Sequence, residues 1–209
     1  KIMFETLKNA LKTKEIRIKI FLTLALLLVF RIGSYIPVPG LDAQAMGEIL
    51  SGDFLSVLTS MTGGNLASGT LFALGVLPFI NAFIIMQLLT LVIPKLEKLS
   101  KEGDAGRRKI TQITRYLALV LAAVQGIGIV FGWSDAVDAV FSFESGWDQP
   151  YLTMAFIVII LMAGSTMVMW LGERITEYGV GNGTSLIIFV GILAQAGATM
   201  GNAFSMVGQ

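Results

Sequence analysis

The feature that most constrains this chain is a run without any charged side chain, from residue 54 to residue 94. Three further uncharged runs follow, at residues 116–134, 149–172 and 178–209. A helix of about 18 or more mostly apolar residues can cross the hydrocarbon core of a bilayer, which is about 30 Å thick. Only 14% of all residues are charged, whereas soluble domains have about 25%. The sequence therefore predicts an all-α, polytopic integral membrane protein.

The uncharged runs divide into five predicted spans and one re-entrant element. The run at residues 54–94 is too long for one crossing, and its glycines at 63, 64 and 69 weaken a helix. We therefore expect a re-entrant element at about residues 55–70, followed by a full span that Pro78 bends. The predicted spans are residues 20–36, 71–93, 116–133, 151–171 and 185–200.

Lysine and arginine are sorted between the loops. They are concentrated before residue 20 and in the loop 95–115, and Arg174 lies in the loop 172–183. The loops 37–70 and 134–150 contain neither, and their charges are acidic. The positive-inside rule then predicts a cytoplasmic N-terminus. The expected organisation is an interfacial helix at residues 1–19, a five-span unit at 20–200 and an external end at 201–209.

The interfacial helix is predicted because its apolar residues share one helical face, away from Lys8 and Lys12. A cleavable signal peptide is the alternative for this end of the chain. It is disfavoured because Arg31 interrupts the apolar run and no small-residue cleavage pattern precedes Pro37. Near the outer end of the first span, Arg31 is expected to snorkel or to pair with an outer carboxylate. A role along a transport pathway is the other interpretation.

Composition excludes several kinds of chemistry. The chain has no cysteine and no histidine, so thiolate nucleophiles, disulfides and imidazole acid–base catalysis are absent, and no metal or other cofactor is predicted. Spans two to five contain no ionisable Asp, Glu, Lys or Arg. Ion-coupled transporters normally bury such groups, so a secondary transporter is a weaker alternative, although it would also use broken helices. A membrane scaffold or insertase without a pore is the other alternative, and an enzyme is disfavoured.

The stretch 178–185, YGVGNGTS, is rich in glycine. Its spacing is GxGxG, no strand precedes it, and the lysine of a phosphate-binding loop is missing. The stretch therefore predicts a turn into the fifth span, capped by Asn182 or Thr184.

Two pairs of glycines have the spacing that permits close approach of membrane helices. Gly128 and Gly132 belong to the third span, and Gly197 and Gly201 lie at the end of the fifth. We expect both pairs to pack against neighbouring helices.

Two pairs of isoleucines are each one helical turn apart, Ile80 with Ile84 and Ile188 with Ile192. Residues at i and i+4 lie on the same face of a helix. From the residues alone, such pairs are most simply lipid-facing or packing residues.

Three stretches together resemble the SecY family of protein-conducting channels. They are residues 30–39 (FRIGSYIPVP), 63–89 (GGNLASGTLFALGVLPFINAFIIMQLL) and 172–192 (GERITEYGVGNGTSLIIFVGI). The resemblance covers essentially the whole chain. It implies one half of a channel of ten helices, arranged as two pseudo-symmetric halves of five, that translocates unfolded secretory proteins and releases membrane proteins laterally.

The resemblance also implies roles for residues. A pore ring would include Ile80, Ile84, Ile188 and Ile192. One wall of the lateral gate would include Asn81, Phe83, Gln87 and Gln125. A plug that closes the outer funnel would consist of Met61, Thr62, Gly63, Gly64, Asn65, Leu66, Ala67, Ser68, Gly69 and Thr70.

The implied partners are those of the family. They are SecE- and SecG-type small subunits, a SecA motor or the ribosome, preproteins with their signal sequences, the second half of the channel (helices six to ten) and the lipid bilayer. Direct binding of nucleic acid is not expected. The implied location is the bacterial cytoplasmic membrane. The chain starts at Lys1 without a methionine, which is expected of a trimmed or split protein.

Overall fold

In the computed structural model, residues 13–50, 57, 59, 60, 62–133 and 150–207 are described. Most of the predicted interfacial helix, and Met61 of the predicted plug, lie outside them. The described residues form helices joined by turns, with an isolated β-bridge between Pro37 and Thr70. The helices are α1 (Lys14–Gly33), α2 (Ala43–Ile49), α3 (Leu77–Val92), α4 (Pro94–Lys101), α5 (Asp104–Gly132), α6 (Pro150–Tyr178) and α7 (Gly183–Val207).

Two of these helices are long and apolar enough to cross a membrane, over Ala105–Gly132 and Tyr151–Tyr178. The bent pair formed by α3 and α4 is a third candidate if it is counted as one span. In α7, Gly183–Gly197 is a shorter apolar helix. The described part of the chain therefore has the two to three candidate spans of an all-helical membrane protein, and the number five stays a prediction.

Helix α1 runs without interruption from Lys14 to Gly33. Ser34 follows its last residue, and the backbone N–H and the hydroxyl of Ser34 both donate to the Phe30 carbonyl, each at 3.0 Å. The Arg31 guanidinium donates to the Tyr35 hydroxyl at 3.3 Å and lies 5.1 Å from the centre of that ring. Among the described residues, Arg31 therefore contacts an aromatic side chain and not the expected carboxylate.

Helix α3 begins later than expected, because residues 71–76 form turns and the helix starts at Leu77. Pro78 lies in its first turn, where the missing N–H of proline leaves no helical bond unmade. The predicted bend at Pro78 is therefore wrong. The chain bends instead by 102° at Ile93, which is extended (φ −97°, ψ 110°) because Pro94 disfavours helical geometry in the preceding residue.

Most of the helices pack against two or more other helices. Helix α5 packs between α3 and α6, and α6 also contacts α1 and α7. Two apolar clusters fill the space between them. One contains Leu66, Ala73 and Leu74 together with residues of α5 and α6. The other contains Phe72 and Val76 with residues of α1, α6 and α7. The non-helical stretch before α3 therefore lies inside the helix assembly.

The packing predicted for the glycine pairs is wrong for their members in the described part of the chain. No heavy atom lies within 4 Å of the position that a Cβ would take at Gly128, Gly132 or Gly197. Two other glycines of α5 face neighbours: a Cβ at Gly126 would be 3.5 Å from Cγ1 of Val158 on α6, and a Cβ at Gly106 would collide with the Leu99 carbonyl of α4. The packed face of α5 thus differs from the one that the glycine spacing predicts.

The turn between α6 and α7 is held by polar contacts. The Asn182 side chain accepts from the Ser185 backbone N–H at 3.3 Å, so the predicted cap by Asn182 is confirmed. The Gly183 backbone N–H donates to the Thr176 hydroxyl at 2.9 Å. The Val180 backbone N–H donates to the Thr23 hydroxyl of α1 at 3.1 Å. The turn is therefore bound to α1 as well as to its own helices.

The ion pairs of the described residues lie in or beside the predicted basic loops 95–115 and 172–183. Arg115 of α5 and Glu173 of α6 form an ion pair with an N–O distance of 2.7 Å. On α4, the ammonium of Lys101 lies 2.5 Å from the Glu97 carboxylate, and this hydrogen bond, aided by the positive charge, lowers the pKa of Glu97. Both members of the Glu97 pair are exposed, so the contact is screened by solvent.

Candidate functional site

Residues 62–76, which we call the glycine segment, cross the interior of the helix assembly without forming a helix. Four of their glycines have positive φ angles: Gly63 (68°), Gly64 (84°), Gly69 (56°) and Gly75 (54°). Residues with a Cβ rarely adopt such angles. The glycines therefore determine the path of this segment, and the expectation of a non-helical, glycine-rich stretch here is met for the described residues.

The buried polar groups of the glycine segment are satisfied locally. The Thr62 hydroxyl donates to the Thr59 carbonyl at 2.9 Å and accepts from the Leu66 backbone N–H at 3.4 Å. The backbone N–H and the hydroxyl of Thr70 both donate to the Asn65 carbonyl, at 3.2 and 3.3 Å. A buried polar group without a partner is costly. These bonds therefore allow the turn to exist among apolar side chains.

The segment is also paired with the chain that follows α1. The Val38 backbone N–H donates to the Gly69 carbonyl at 2.9 Å, and the Leu71 backbone N–H donates to the Ile36 carbonyl at 2.8 Å. These two bonds flank the β-bridge between Pro37 and Thr70. The middle of the glycine segment is thus fixed to residues 36–38, just after the first helix.

One end of the segment lies directly on α7. A Cβ at Gly63 would be 2.7 Å from the Cα of Gly191, and a Cβ at Gly191 would be 3.4 Å from the Cα of Gly63. The contact is therefore between two backbones, and it requires glycine on the segment. Gly191 lies beside Ile192 and three residues after Ile188, so the segment touches the helix that carries both isoleucines.

The other end of the segment is packed against α1 and α6. The ring of Phe72 is fully buried, occupies the space where Gly33 lacks a side chain, and stacks on Phe30 with ring centres 5.6 Å apart. A Cβ at Gly164 of α6 would collide with the Leu71 carbonyl oxygen. This end of the segment therefore fits closely into the surfaces of two helices.

The four isoleucines fall into two kinds. Ile80 and Ile188 are half-buried and both pack against the cluster around Phe72. Ile84 and Ile192, one turn further along each helix, are 49% and 46% exposed. The structure thus joins one member of each pair to the same apolar cluster and leaves the other member on the surface.

The predicted gate residues lie on two helices that pack together, α3 and α5. On α3, Asn81, Phe83 and Gln87 are exposed, and the ring of Phe83 stacks loosely on Phe79 with centres 6.5 Å apart. Gln125 of α5 is half-buried. The surface beside the α3–α5 contact therefore combines apolar and amide side chains.

Sequence reasoning missed the residues that hold the glycine segment in place. They are Gly33, Gly164, Ser165 and Gly191, all on helices. A glycine inside a helix costs about 1 kcal/mol relative to alanine, and such a position often has a packing reason. That signal was present at Gly33, Gly164 and Gly191, but their spacing does not identify the partner.

No group of side chains that could hold a metal ion occurs among the described residues. The glycine segment and its neighbours are apolar or hydrogen-bonded to backbone, without charge. The arrangement can therefore enclose or exclude a molecule by shape and hydration.

Comparison with known proteins places these features in a family. The SecY family model matches residues 70–208. The chain is 43% identical over 194 residues to "Protein translocase subunit SecY" of Staphylococcus carnosus (strain TM300), covering 92% of this chain and 44% of that protein. It is 41% identical over 200 residues to the protein of the same name in Staphylococcus aureus (strain NCTC 8325 / PS 47), covering 95% and 46%. The chain thus spans a little under half the length of these curated relatives.

The fold is similar to that of two solved channels. One is described as "The structure of a protein conducting channel", with a TM-score of 0.62, 23% identity, and coverage of 86% of this chain and 37% of that chain. The other, "Sec61 in the Canine ribosome-channel complex from the endoplasmic reticulum", gives a TM-score of 0.61, 24% identity and the same coverage. These structures support the fold, and the family match extends over most of the sequence. The chain belongs to the SecY family.

Proposed function

We propose that this chain forms one side of a protein-conducting channel, as one half of a pseudo-two-fold arrangement of five and five helices. The contact between Gly63 and Gly191 carries the proposal. Non-helical backbone at membrane depth is tolerated only where protein or a water-filled cavity surrounds it. Here such backbone lies against the helix that bears Ile188 and Ile192, which is the arrangement that a plug beside a pore requires.

The proposed plug is residues 61–70, and the proposed pore ring includes Ile80, Ile84, Ile188 and Ile192. A narrow ring of apolar side chains loses its water and is a barrier to hydrated ions, yet it makes no hydrogen bond to a passing peptide. Half-exposed Ile84 and Ile192 are available to meet side chains from the helices that complete the ring. The ring and the plug would then close the resting channel together.

The proposed substrates are unfolded secretory proteins, together with membrane segments that leave sideways into lipid. The lateral gate would be the surface of α3 and α5 around Asn81, Phe83, Gln87 and Gln125. An apolar signal segment gains about 0.8 kcal/mol for each CH₂ that it buries. The exposed apolar residues of α3 provide a surface for that burial.

We further propose the surroundings in which the channel works. Five more helices complete the pore, SecE- and SecG-type subunits support it, and a SecA motor or the ribosome delivers the substrate. The location is the bacterial cytoplasmic membrane with the N-terminus inside. The sorting of basic residues into the segment before residue 20 and the loop 95–115 supports this orientation.

The test of the proposal is the resting ion leak of the assembled channel in a planar bilayer. Replacing Ile80 and Ile84 together by glycine should raise the leak, because it widens and wets the apolar ring. Ile159→Gly is the matched control, since Ile159 is 63% exposed on α6, away from the glycine segment. An unchanged leak in the double variant, or an equal rise in the control, contradicts the seal.

A further inference from the structure

The two ends of the glycine segment are held in different ways. We call residues 62–69 the tip and residues 71–76 the base. The base packs against α1 and α6 and places the Phe72 ring between them, whereas the tip approaches α7 through two glycine backbones and buries Leu66 in the cluster with α5 and α6. The inference below rests on the proposed plug function and concerns how that plug is held.

The base has a specific polar contact with α6. The Ser165 hydroxyl donates to the Gly75 carbonyl at 3.2 Å, across 90 positions of sequence, and the contact is buried. Gly75 has a φ of 54°, so its peptide is oriented by the turn and not by a helix. The neighbouring residue Gly164 admits the Leu71 carbonyl where a side chain would collide with it. Gly164 and Ser165, which are adjacent on α6, thus contact Leu71 and Gly75 of the base.

The tip is held differently: among the described residues its side-chain anchor is Leu66, which is buried in the cluster shared with residues of α5 and α6. Its hydrogen bonds join neighbouring residues of the turn, apart from the bond between the Gly69 carbonyl and Val38. Its contact with α7 is the close approach of Gly63 and Gly191, which involves no side chain and no hydrogen bond. Such a contact can separate without leaving a buried polar group unpaired.

We propose that Gly164 and Ser165 are positioning residues for the plug: they fix its base on α6, so that the tip alone swings away from Gly191. Release of the tip costs the apolar packing of Leu66 and the contact of Gly63 with Gly191, whereas release of the base would expose the ring of Phe72 and leave the Gly75 carbonyl without its Ser165 donor. The plug then returns to one place after each opening, because its base never leaves α6.

Hydrogen–deuterium exchange of the assembled channel in nanodiscs tests this order of release. Ser165→Ala should speed exchange at base and tip amides about tenfold, because the Gly75 carbonyl loses its buried donor. Amides of α6 should keep their protection, whereas a general structural defect would expose them too. Thr166→Ala is the matched control, since the Thr166 hydroxyl bonds within its own helix, to the Met162 carbonyl at 2.8 Å.

A second variant separates the tip from the base. A Cβ at Gly191 would sit 3.4 Å from Gly63, so Gly191→Ala should loosen the tip and leave base amides protected. Ser165→Ala must loosen both. Protection of the base lost in both variants, or an unchanged tip in Ser165→Ala, overturns the proposal.

The resting ion leak of Ser165→Ala distinguishes this inference from the channel function itself. Faster exchange with a raised leak supports both the anchored base and the plug. Faster exchange with an unchanged leak supports the anchored base but contradicts the role of the segment as a plug. Unchanged exchange contradicts the anchored base, whatever the leak.

Discussion

Phe72 shows how far the sequence predicts the environment of a single residue. It lies in a glycine-rich stretch that looks loosely organised from the sequence, yet its ring is fully buried against Gly33 and Phe30. The isoleucine pairs show the same contrast. Their spacing correctly places Ile188 and Ile192 on one face, but only the packing of the Phe72 cluster makes one half-buried and the other exposed.

Phe72→Ala should lower the free energy of unfolding by about 3–5 kcal/mol, the usual loss when a buried phenylalanine becomes a cavity. Unfolding by denaturant in detergent, followed by tryptophan fluorescence, measures it. Phe21→Ala is the control, because Phe21 of α1 is 75% exposed. Equal losses for the two variants would show that the Phe72 ring is not a structural anchor.

At the scale of helices, α5 shows what a spacing rule can and cannot predict. The long uncharged run correctly predicts a helix that can span a bilayer, and its glycine spacing identifies residues that share a face. The spacing does not reveal that this face is open and that Gly126 is the one turned towards α6. Pro78 is a similar case, since the same residue bends a helix from inside it but starts one from its first turn.

Gly126→Leu should destabilise the packing of α5 on α6 by about 1–3 kcal/mol, because a Cβ there already reaches contact distance with Val158 and the rest of the side chain overpacks the interface. Gly128→Leu, in open space on the same helix, should not destabilise it, because leucine replaces a poor helix former at a gain of up to about 1 kcal/mol. Thermal unfolding of the two variants compares them. The reverse order would restore the packing role first predicted for Gly128.

On α4, the pKa of Glu97 is lowered by the hydrogen bond and charge of Lys101. A carboxylate with a lowered folded-state pKa adds stability above its unfolded pKa, and that stability is lost as the pH falls through the folded pKa. Lys101→Met should therefore move the Glu97 pKa upward, back towards its ordinary value. Carbon-detected NMR titration of the side chain measures this change, and Lys98→Met, which leaves Lys101 in place, should not reproduce it.

At the scale of the whole molecule, the distribution of charge predicts more than any single motif. The sorting of lysine and arginine between loops predicts an orientation without knowledge of the fold. It says nothing of how the glycine segment is folded between α1, α6 and α7, because those contacts join residues far apart in sequence. The uncharged stretches can likewise be recognised in the sequence, but the sequence does not predict which face of each helix contacts a neighbour.

The orientation can be tested with single cysteines, since the chain has none of its own. A membrane-impermeant maleimide added to intact cells should label Gln44→Cys, which is exposed on α2 beyond the first span. It should label Lys98→Cys, exposed on α4, only after the membrane is opened. Labelling of Lys98→Cys in intact cells would reverse the predicted topology.

The bend at Ile93 has a consequence for how the protein responds to bilayer thickness. If α3 crosses the bilayer as predicted, the turn of 102° would direct α4 along the membrane surface and place Lys95, Lys98 and Lys101 among the headgroups. A helix secured in this way would not slide along its own axis when the lipid tails are shorter or longer. It would adjust by tilting, which is one of the ways in which a helix accommodates a mismatch in bilayer thickness, and because α3 packs on α5, the surrounding lipid would then influence the angle between the two.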